Sequence, residues 1–518
     1  MNIRYYLIIT GVLITGTTFL VSAVCHSGNP HLKSLQIFTA PLMNLFLVLE
    51  TVIEKKKLYI FLNLFIPSII ILYKLVSGFR LKKYLPILRG FLACIVMVTG
   101  LTYYFYEAVL NPLIPENSRS RDFGMYYLGA LGVKESHNFY YDYAYYIRDK
   151  RQDHSFIVLD GVDPDPGYLD RQLAAHGMEL IPPYTYPPLW YIMCLPLLAF
   201  TWITAFDVFM IFNQFCLATA LICLPIDQTR KIPPADFCLI SGLLFYFYPL
   251  IRTVNGGQAN LVVLALITIS LLLIKHQKEW TAGAFLALAT AIKLHPLILI
   301  GYCLMKKKYR VFYSAVIWIL ILMILSTVFV GWQIMKVYYL EVLPKWASNM
   351  RAHDMNVSIA GFVSRLFIGY RWLTPPFHNP ALARTIVTLS ALSILIAIAI
   401  LFYKRKTTYI DCFNMEFSIV IIATALVSTW TLDHHLVLLL IPFAVLLQYR
   451  QNDSLRWGKM ILLLLAYSLI SWRYHYWEPF YRQGLGTLLL SIRTGGIICL
   501  MAAALYEYLR YADRKEKV

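Results

Sequence analysis

Residues 306–330 read KKKYRVFYSAVIWILILMILSTVFV: three lysines and an arginine, then twenty uncharged residues from Val311 to Val330. At a rise of about 1.5 Å per residue a helix of that length covers about 30 Å, the thickness of a bilayer's hydrocarbon core. The run is solidly apolar instead of alternating, which excludes the strands of an outer-membrane barrel. The same grammar, a basic cluster beside an apolar run, recurs at Lys55-Lys56-Lys57, Arg80 with Lys82-Lys83, Lys404-Arg405-Lys406 and Arg514-Lys515. The 518 residues are 59% hydrophobic and 14% charged, where a soluble chain carries about half and about a quarter. A soluble enzyme, a disordered tail and a disulfide scaffold are thereby excluded. The net charge of +18 lies at the ends of spans and not on one helix face. It is the positive-inside signature of a membrane protein and points to no nucleic-acid partner. The nine cysteines fall mostly inside apolar runs with no C-x-x-C pair, as small buried hydrophobes do. The sequence predicts an all-α polytopic membrane protein of roughly 11–13 transmembrane helices with a long first external loop.

Charge and run length divide the chain into three parts. Residues 1–108 form an N-terminal membrane region with extra helices, Met1 to Val24 being an uncleaved first span. Residues 109–185 form an external loop rich in carboxylates, and residues 186–518 form the membrane core, with external loops at 331–380 and 473–484. Within the core, Pro187–Pro225 must cross an odd number of times although its length suits two helices, so one part is re-entrant or tilted. Trp280–Ile292 and Leu297–Met305 reach only about 20 and 14 Å. Between them stands Lys293-Leu294-His295-Pro296. Ionisable groups at that depth point to a broken helix whose break lines a polar site.

This topology gathers the unusual polar residues on the outer side: Asp122, Tyr184–Pro188, the Asn255–Asn260 turn, Lys293 and His295, Asn349–Ser358, and Asp433-His434-His435. A carboxylate to take a hydroxyl proton, with cations to receive a phosphate, suits transfer of a group from a lipid phosphate. Asp163-Pro164-Asp165 has the spacing of a metal-binding Asp-x-Asp motif but reads more simply as a proline turn. His434 and His435, adjacent on a helix, point about 100° apart and do not suggest a zinc site.

Six segments in order resemble glycosyltransferase family 87, membrane mannosyltransferase-like proteins of the GT-C fold. They are Asp122-Phe-Gly-Met-Tyr-Tyr127; Gly161-Val-Asp-Pro164 with Tyr184-Thr-Tyr-Pro-Pro188; Gly257-Gln-Ala-Asn260; Lys293-Leu-His-Pro296; Asn356-Val-Ser-Ile-Ala-Gly361 with Arg365; and Ser428-Thr-Trp-Thr-Leu-Asp-His-His435. Thr429 replaces a usual serine, residues 134–160 resemble an insertion, and the runs before residue 107 exceed the single span of the family. The resemblance implies inverting transfer of a sugar, typically mannose, from a polyprenyl-phosphate donor to a glycan or glycolipid acceptor. The reaction takes place on the periplasmic or exterior face of the cell membrane, with Asp122 as general base. No cofactor is implied, since the lipid-phosphate sugar is a co-substrate, and the only further partners are membrane lipids. Lys293, Arg252, His434 and His435 are the candidates for the donor phosphate. Gln258, Asn260, Asn356, Tyr126, Tyr127 and Tyr186 are those for sugar or acceptor. The competing reading is a transporter or flippase of a lipid-linked saccharide, against which stand the one-sided acidic loop and the absence of an internal repeat.

Overall fold

The computed structural model describes residues 85–113, 122–140, 168–178, 184–224, 232–349, 352–369, 373–404, 410–448, 456–473, 481 and 484–515. The apolar runs Tyr5–Val24, Leu35–Leu49 and Leu58–Leu75, most of the 134–160 insertion, and Asp163-Pro164-Asp165 lie outside these. Every regular element among the described residues is a helix. Among the described residues five helices are long and apolar enough to cross a membrane: Ile87–Leu110, Trp202–Ile222, Tyr309–Trp346, Pro380–Lys404 and Gly486–Arg510. The pair Pro234–Tyr246 and Tyr248–Asn255, bent by 49°, makes a sixth if it is one span. The chain is an all-α polytopic membrane protein.

Local chemistry explains the breaks between helices. Pro187 and Pro188 open a helix at Pro188–Met193, which tightens into a 3-10 turn over Leu195–Ala199. Proline suits a first turn because its missing N–H has no partner there anyway. This piece is too short to cross, and the helix that follows, α1 (Trp202–Ile222), starts at a Thr201 cap whose hydroxyl accepts from the Thr204 amide. The stretch 187–225 therefore has one full-length span, which satisfies the odd crossing required by charge. The helix α5 (Tyr309–Val337), into which the 306–330 run folds, follows α2 (Asn260–Lys275), α3 (Glu279–Ile292) and α4 (Leu297–Met305). Continued to Trp346 it is a helix of 38 residues, about 57 Å if straight and nearly twice the hydrocarbon thickness. Gly331, at φ 80°, breaks it. Beyond that break Trp332 and Leu340 are exposed while Ile334, Tyr338 and Val342 are buried. The expected external loop 331–380 is thus largely helical, since this amphipathic spacing gives one face something to pack against.

Buried along nearly its whole length, α2 is the central helix, packed between α1 and α3, and α3 in turn packs on α5. The charges sort to opposite ends of these helices. At one end Lys308 pairs with Glu279 at 2.8 Å, Lys306 with Glu416 at 3.0 Å, Lys459 with Glu507 at 3.0 Å, and Arg89 with Asp236. Glu416, on α6 (Ile410–Val427), also accepts hydrogen bonds from the Tyr302 and Tyr508 phenols at 2.8 and 2.7 Å. At the other end stand Asn260, which starts α2, Lys293, which ends α3, and Asp433, beyond the end of α6. Glu279 and Lys293 begin and end the same 14-residue helix, so the two polar layers lie about 20 Å apart.

Removing one partner of a buried pair strands the other charge, at about 3–5 kcal/mol. Glu416→Leu is therefore expected to lower the thermal midpoint in detergent markedly. Glu416→Gln should lower it less, because its carbonyl still accepts from one phenol.

Candidate active site

The turn from α7 (Tyr248–Asn255) into α2 runs through Gly256-Gly257-Gln258-Ala259. It is closed by the Gly257 amide on the Val254 carbonyl and the Gln258 amide on the Thr253 carbonyl, both at 2.9 Å. Gly257 has φ +63°, and a Cβ there would sit 2.9 Å from both Phe123 Cβ and Phe206 Cε2. A Cβ on Gly256 would meet Asp122 Oδ2 at 3.2 Å. The glycine pair lets the backbone press directly on the start of α8 (Phe123–Lys134), where Asp122 stands.

Asp122 occupies the N-cap position of α8 but makes no side-chain cap bond. Its Oδ2 accepts instead from the Gln258 side-chain amide. The other end of that amide, Oε1, accepts from Tyr186 at 2.8 Å and Tyr126 at 3.1 Å. Behind the carboxylate Phe123 packs against Trp202, Phe206 and Phe209, with centroid distances of 5.7, 5.5 and 5.0 Å. This aromatic wall backs Asp122 on one side, and the carboxylate is itself only partly exposed.

Lys293 enters from the break between α3 and α4. Its backbone is extended, and Nζ donates to Asn260 Oδ1 at 2.6 Å while lying 4.9 Å from the centre of the Tyr186 ring. Asp122 and Lys293 lie within electrostatic reach of each other, and both reach His434. The two histidines head a 3-10 helix at Asp433–Leu439, with ring planes at 87° and centroids 4.6 Å apart. His435 stacks on His295 at 6.1 Å and accepts the Leu432 amide at Nδ1. Both rings of the pair, and not one alone, feel Lys293. Asp433 accepts from the His434 backbone amide at 2.8 Å and lies 3.5 Å from Arg493. Burial alone would raise its carboxyl pKa, but His434, Arg493 and Arg252 around it hold it below the usual carboxylate range. Beside His295 and His435 opens a cavity of about 60 Å³, with hydroxyls from Thr424, Ser428 and Thr431 and an apolar wall that includes Ile267, Leu299 and Leu438.

The structure therefore brings together Asp122, Tyr126, Tyr186, Gln258, Asn260, Lys293, His434 and His435. The other expected residues have contacts of their own. Tyr126 and Gln258 are buried and bonded to each other and, through Gln258, to Asp122. Asn356 is fully buried, and its amide joins the Thr429 carbonyl, the Ser358 backbone and hydroxyl, and the Thr431 amide. With Arg365, which donates to the carbonyls of His353 and Asn356 and to the Ser491 hydroxyl, it fastens the segment leading to Asp433. Tyr127 turns its phenol to the Phe200 carbonyl at 3.0 Å and packs on Trp202 and His176. Arg252 lies with Asp433. Sequence reasoning missed Arg493, whose guanidinium also packs on Tyr248 at 4.7 Å. A lone arginine within an otherwise apolar run was the available signal.

The fold and this site define a membrane-spanning helical protein that gathers a carboxylate, an ammonium and imidazoles at one end of its bundle. Comparison with protein families matches residues 184–429 to glycosyltransferase family 87. That match covers just under half of the chain and supports a membrane glycosyltransferase of that kind. Lys293, Gln258, Asn260 and Asn356 lie inside the matched residues, whereas Asp122 and Asp433–His435 lie outside them. No curated protein matches the chain.

The glycine turn gives a direct check. Gly257→Ala forces a side chain into a left-handed backbone conformation, at about 1–2 kcal/mol before any overlap, and is expected to lower the melting temperature. Gly256→Ala is expected to leave melting nearly unchanged and to cut sugar transfer about 10-fold by displacing Asp122. Equal losses of stability in the two variants would show that the turn acts only on folding.

Proposed function

We propose that the protein transfers a sugar, taken as mannose, from a polyprenyl-phosphate donor to a hydroxyl of a glycan or glycolipid. The reaction inverts the anomeric centre and takes place on the non-cytoplasmic face of the cell membrane. The observation that carries this reading is the juxtaposition of Asp122 with Lys293, His434 and His435 across the Tyr186–Gln258–Asn260 layer. An acceptor hydroxyl gives its proton to Asp122 while its oxygen attacks the anomeric carbon. The bond from that carbon to the phosphate oxygen breaks, and its electron pair stays on the polyprenyl phosphate. Lys293 offers a cation to that charge, and His434 and His435 offer polar ring atoms beside it. One attack on a good leaving group from the opposite face needs no covalent intermediate, hence inversion. Tyr186 and Asn260, which touch the lysine, border the place left for the sugar.

Two features support a lipid-linked donor. The cavity at His295 and His435 is lined by imidazoles and hydroxyls together with apolar side chains, the mixture that a phosphate joined to a hydrocarbon chain would meet. The basic ends of the helices, with Lys306 and Lys308, lie opposite the site. By the positive-inside rule the site then faces away from the cytoplasm.

In a transfer assay with polyprenyl-phosphate mannose, Asp122→Asn is expected to lower turnover by about 10²-fold or more with little change in donor KM. Lys293→Met should lower kcat/KM for the donor by about 10–100-fold. Transfer is expected to persist in excess EDTA. Wild-type turnover in Asp122→Asn would remove the base from this scheme.

A further inference from the structure

We propose that Gln258 is a positioning residue that selects which oxygen of Asp122 works. Its amide ties down Oδ2 and leaves Oδ1 as the atom that takes the acceptor proton. The inference rests on Asp122 being the base.

A side-chain amide has one accepting end and one donating end, and its surroundings decide which way it points. Around Gln258 they leave no choice. Two phenols, Tyr126 and Tyr186, meet at Oε1. The Tyr126 oxygen already accepts the Ala259 amide at 3.2 Å, which directs its own proton towards Gln258. A flipped amide would set its oxygen against the Asp122 carboxylate, acceptor against acceptor. The backbone is pinned as well: Asn213 donates to the Gln258 carbonyl at 3.2 Å, and the Gln258 amide donates to Thr253 at 2.9 Å. At 3% exposure, Gln258 has no freedom to swing towards a substrate.

The consequence falls on Asp122. Oδ2 is occupied by the Gln258 amide and walled by Gly256. Oδ1 has no hydrogen-bond partner among the described residues. A carboxylate free to rotate would present either oxygen in many directions, whereas this one presents a single oxygen in one. Holding a reacting group in its productive orientation removes an entropic part of the barrier, and a 1 Å misplacement costs up to about 10²-fold in rate. Tyr186 also faces Lys293, so the same phenol that aims the base packs against the cation on the donor side.

The test is a set of full-length variants in detergent, assayed with a short-chain polyprenyl-phosphate mannose and octyl mannoside as probe acceptor. Melting is measured for each. Gln258→Met keeps the volume and removes both polar ends. It is expected to lower kcat about 10–100-fold with donor KM within about 3-fold. Tyr126→Phe/Tyr186→Phe frees the amide to turn and should lower kcat by a smaller factor. In the triple variant Gln258→Met/Tyr126→Phe/Tyr186→Phe no buried phenol lacks an acceptor, so its melting temperature should recover relative to Gln258→Met. Its kcat should nevertheless not rise above the Gln258→Met value, because relieving the phenols does not restore the amide that holds Oδ2 of Asp122. If kcat recovers together with melting, Gln258 is a structural residue only and the inference fails. It fails equally if Gln258→Met keeps wild-type kcat. A wild-type rate in Asp122→Asn, or no transfer by the wild type to the probe, instead overturns the donor-and-base reading on which the inference stands.

Discussion

A charge costs several kcal/mol inside a hydrocarbon layer unless it is paired or reaches water, and that constraint organises this molecule. Its helices keep ionisable side chains away from their middles and carry them to their ends. At one end the cations that set orientation find carboxylates within 3.0 Å, as Lys308 does in Glu279 and Lys306 in Glu416. At the other end the groups are arranged differently. Lys293 meets a neutral amide, Asn260, and an aromatic face. Asp122 meets a neutral amide, Gln258. Asp433 there pairs with Arg493, but Asp122 and Lys293 each meet an uncharged side chain first. One layer pairs its charges directly, and the other leaves Asp122 and Lys293 on neutral partners.

Backbone breaks make that second layer. The turn at Gly256-Gly257 brings Gln258 onto Asp122. The interruption at Lys293-Leu294-His295-Pro296 delivers a cation to the start of the central helix α2. The 3-10 segment at Asp433 sets two imidazoles at right angles, so that neighbouring residues present their rings in different directions. Continuous helices would have buried all three polar motifs among apolar neighbours.

Much of this was legible in the residues. Solid apolar runs bounded by lysines gave the helices, because length and charge act locally. The pieces 280–292 and 297–305 were too short to span, which exposed the break at Lys293. Asp122, Lys293 and the histidine pair could be singled out because charged and imidazole groups are rare in such a sequence. What the residues did not show is which polar groups serve one another. Asn356 looks like a ligand in a motif, yet its whole amide is used to join two segments about 75 residues apart. Gln258 and Tyr126, 132 residues apart, become partners only after α8 packs beneath the glycine turn. Arg493 sat in an apolar run and was passed over, although its burial requires a carboxylate such as Asp433 nearby. Tertiary pairing of this kind has no periodicity for a sequence to display.

The central claim is that Asp122 and the Lys293–His434–His435 group embrace a single sugar phosphate from opposite sides. A cryo-EM structure with a non-transferable phosphonate analogue of polyprenyl-phosphate mannose tests it most directly. The expected result has the phosphonate beside Lys293 and the histidines, the lipid chain leaving along the cavity at His295, and the anomeric carbon facing Asp122 Oδ1. An analogue bound with its phosphonate away from Lys293, or with Asp122 on the same side of the sugar as the phosphonate, would contradict the account.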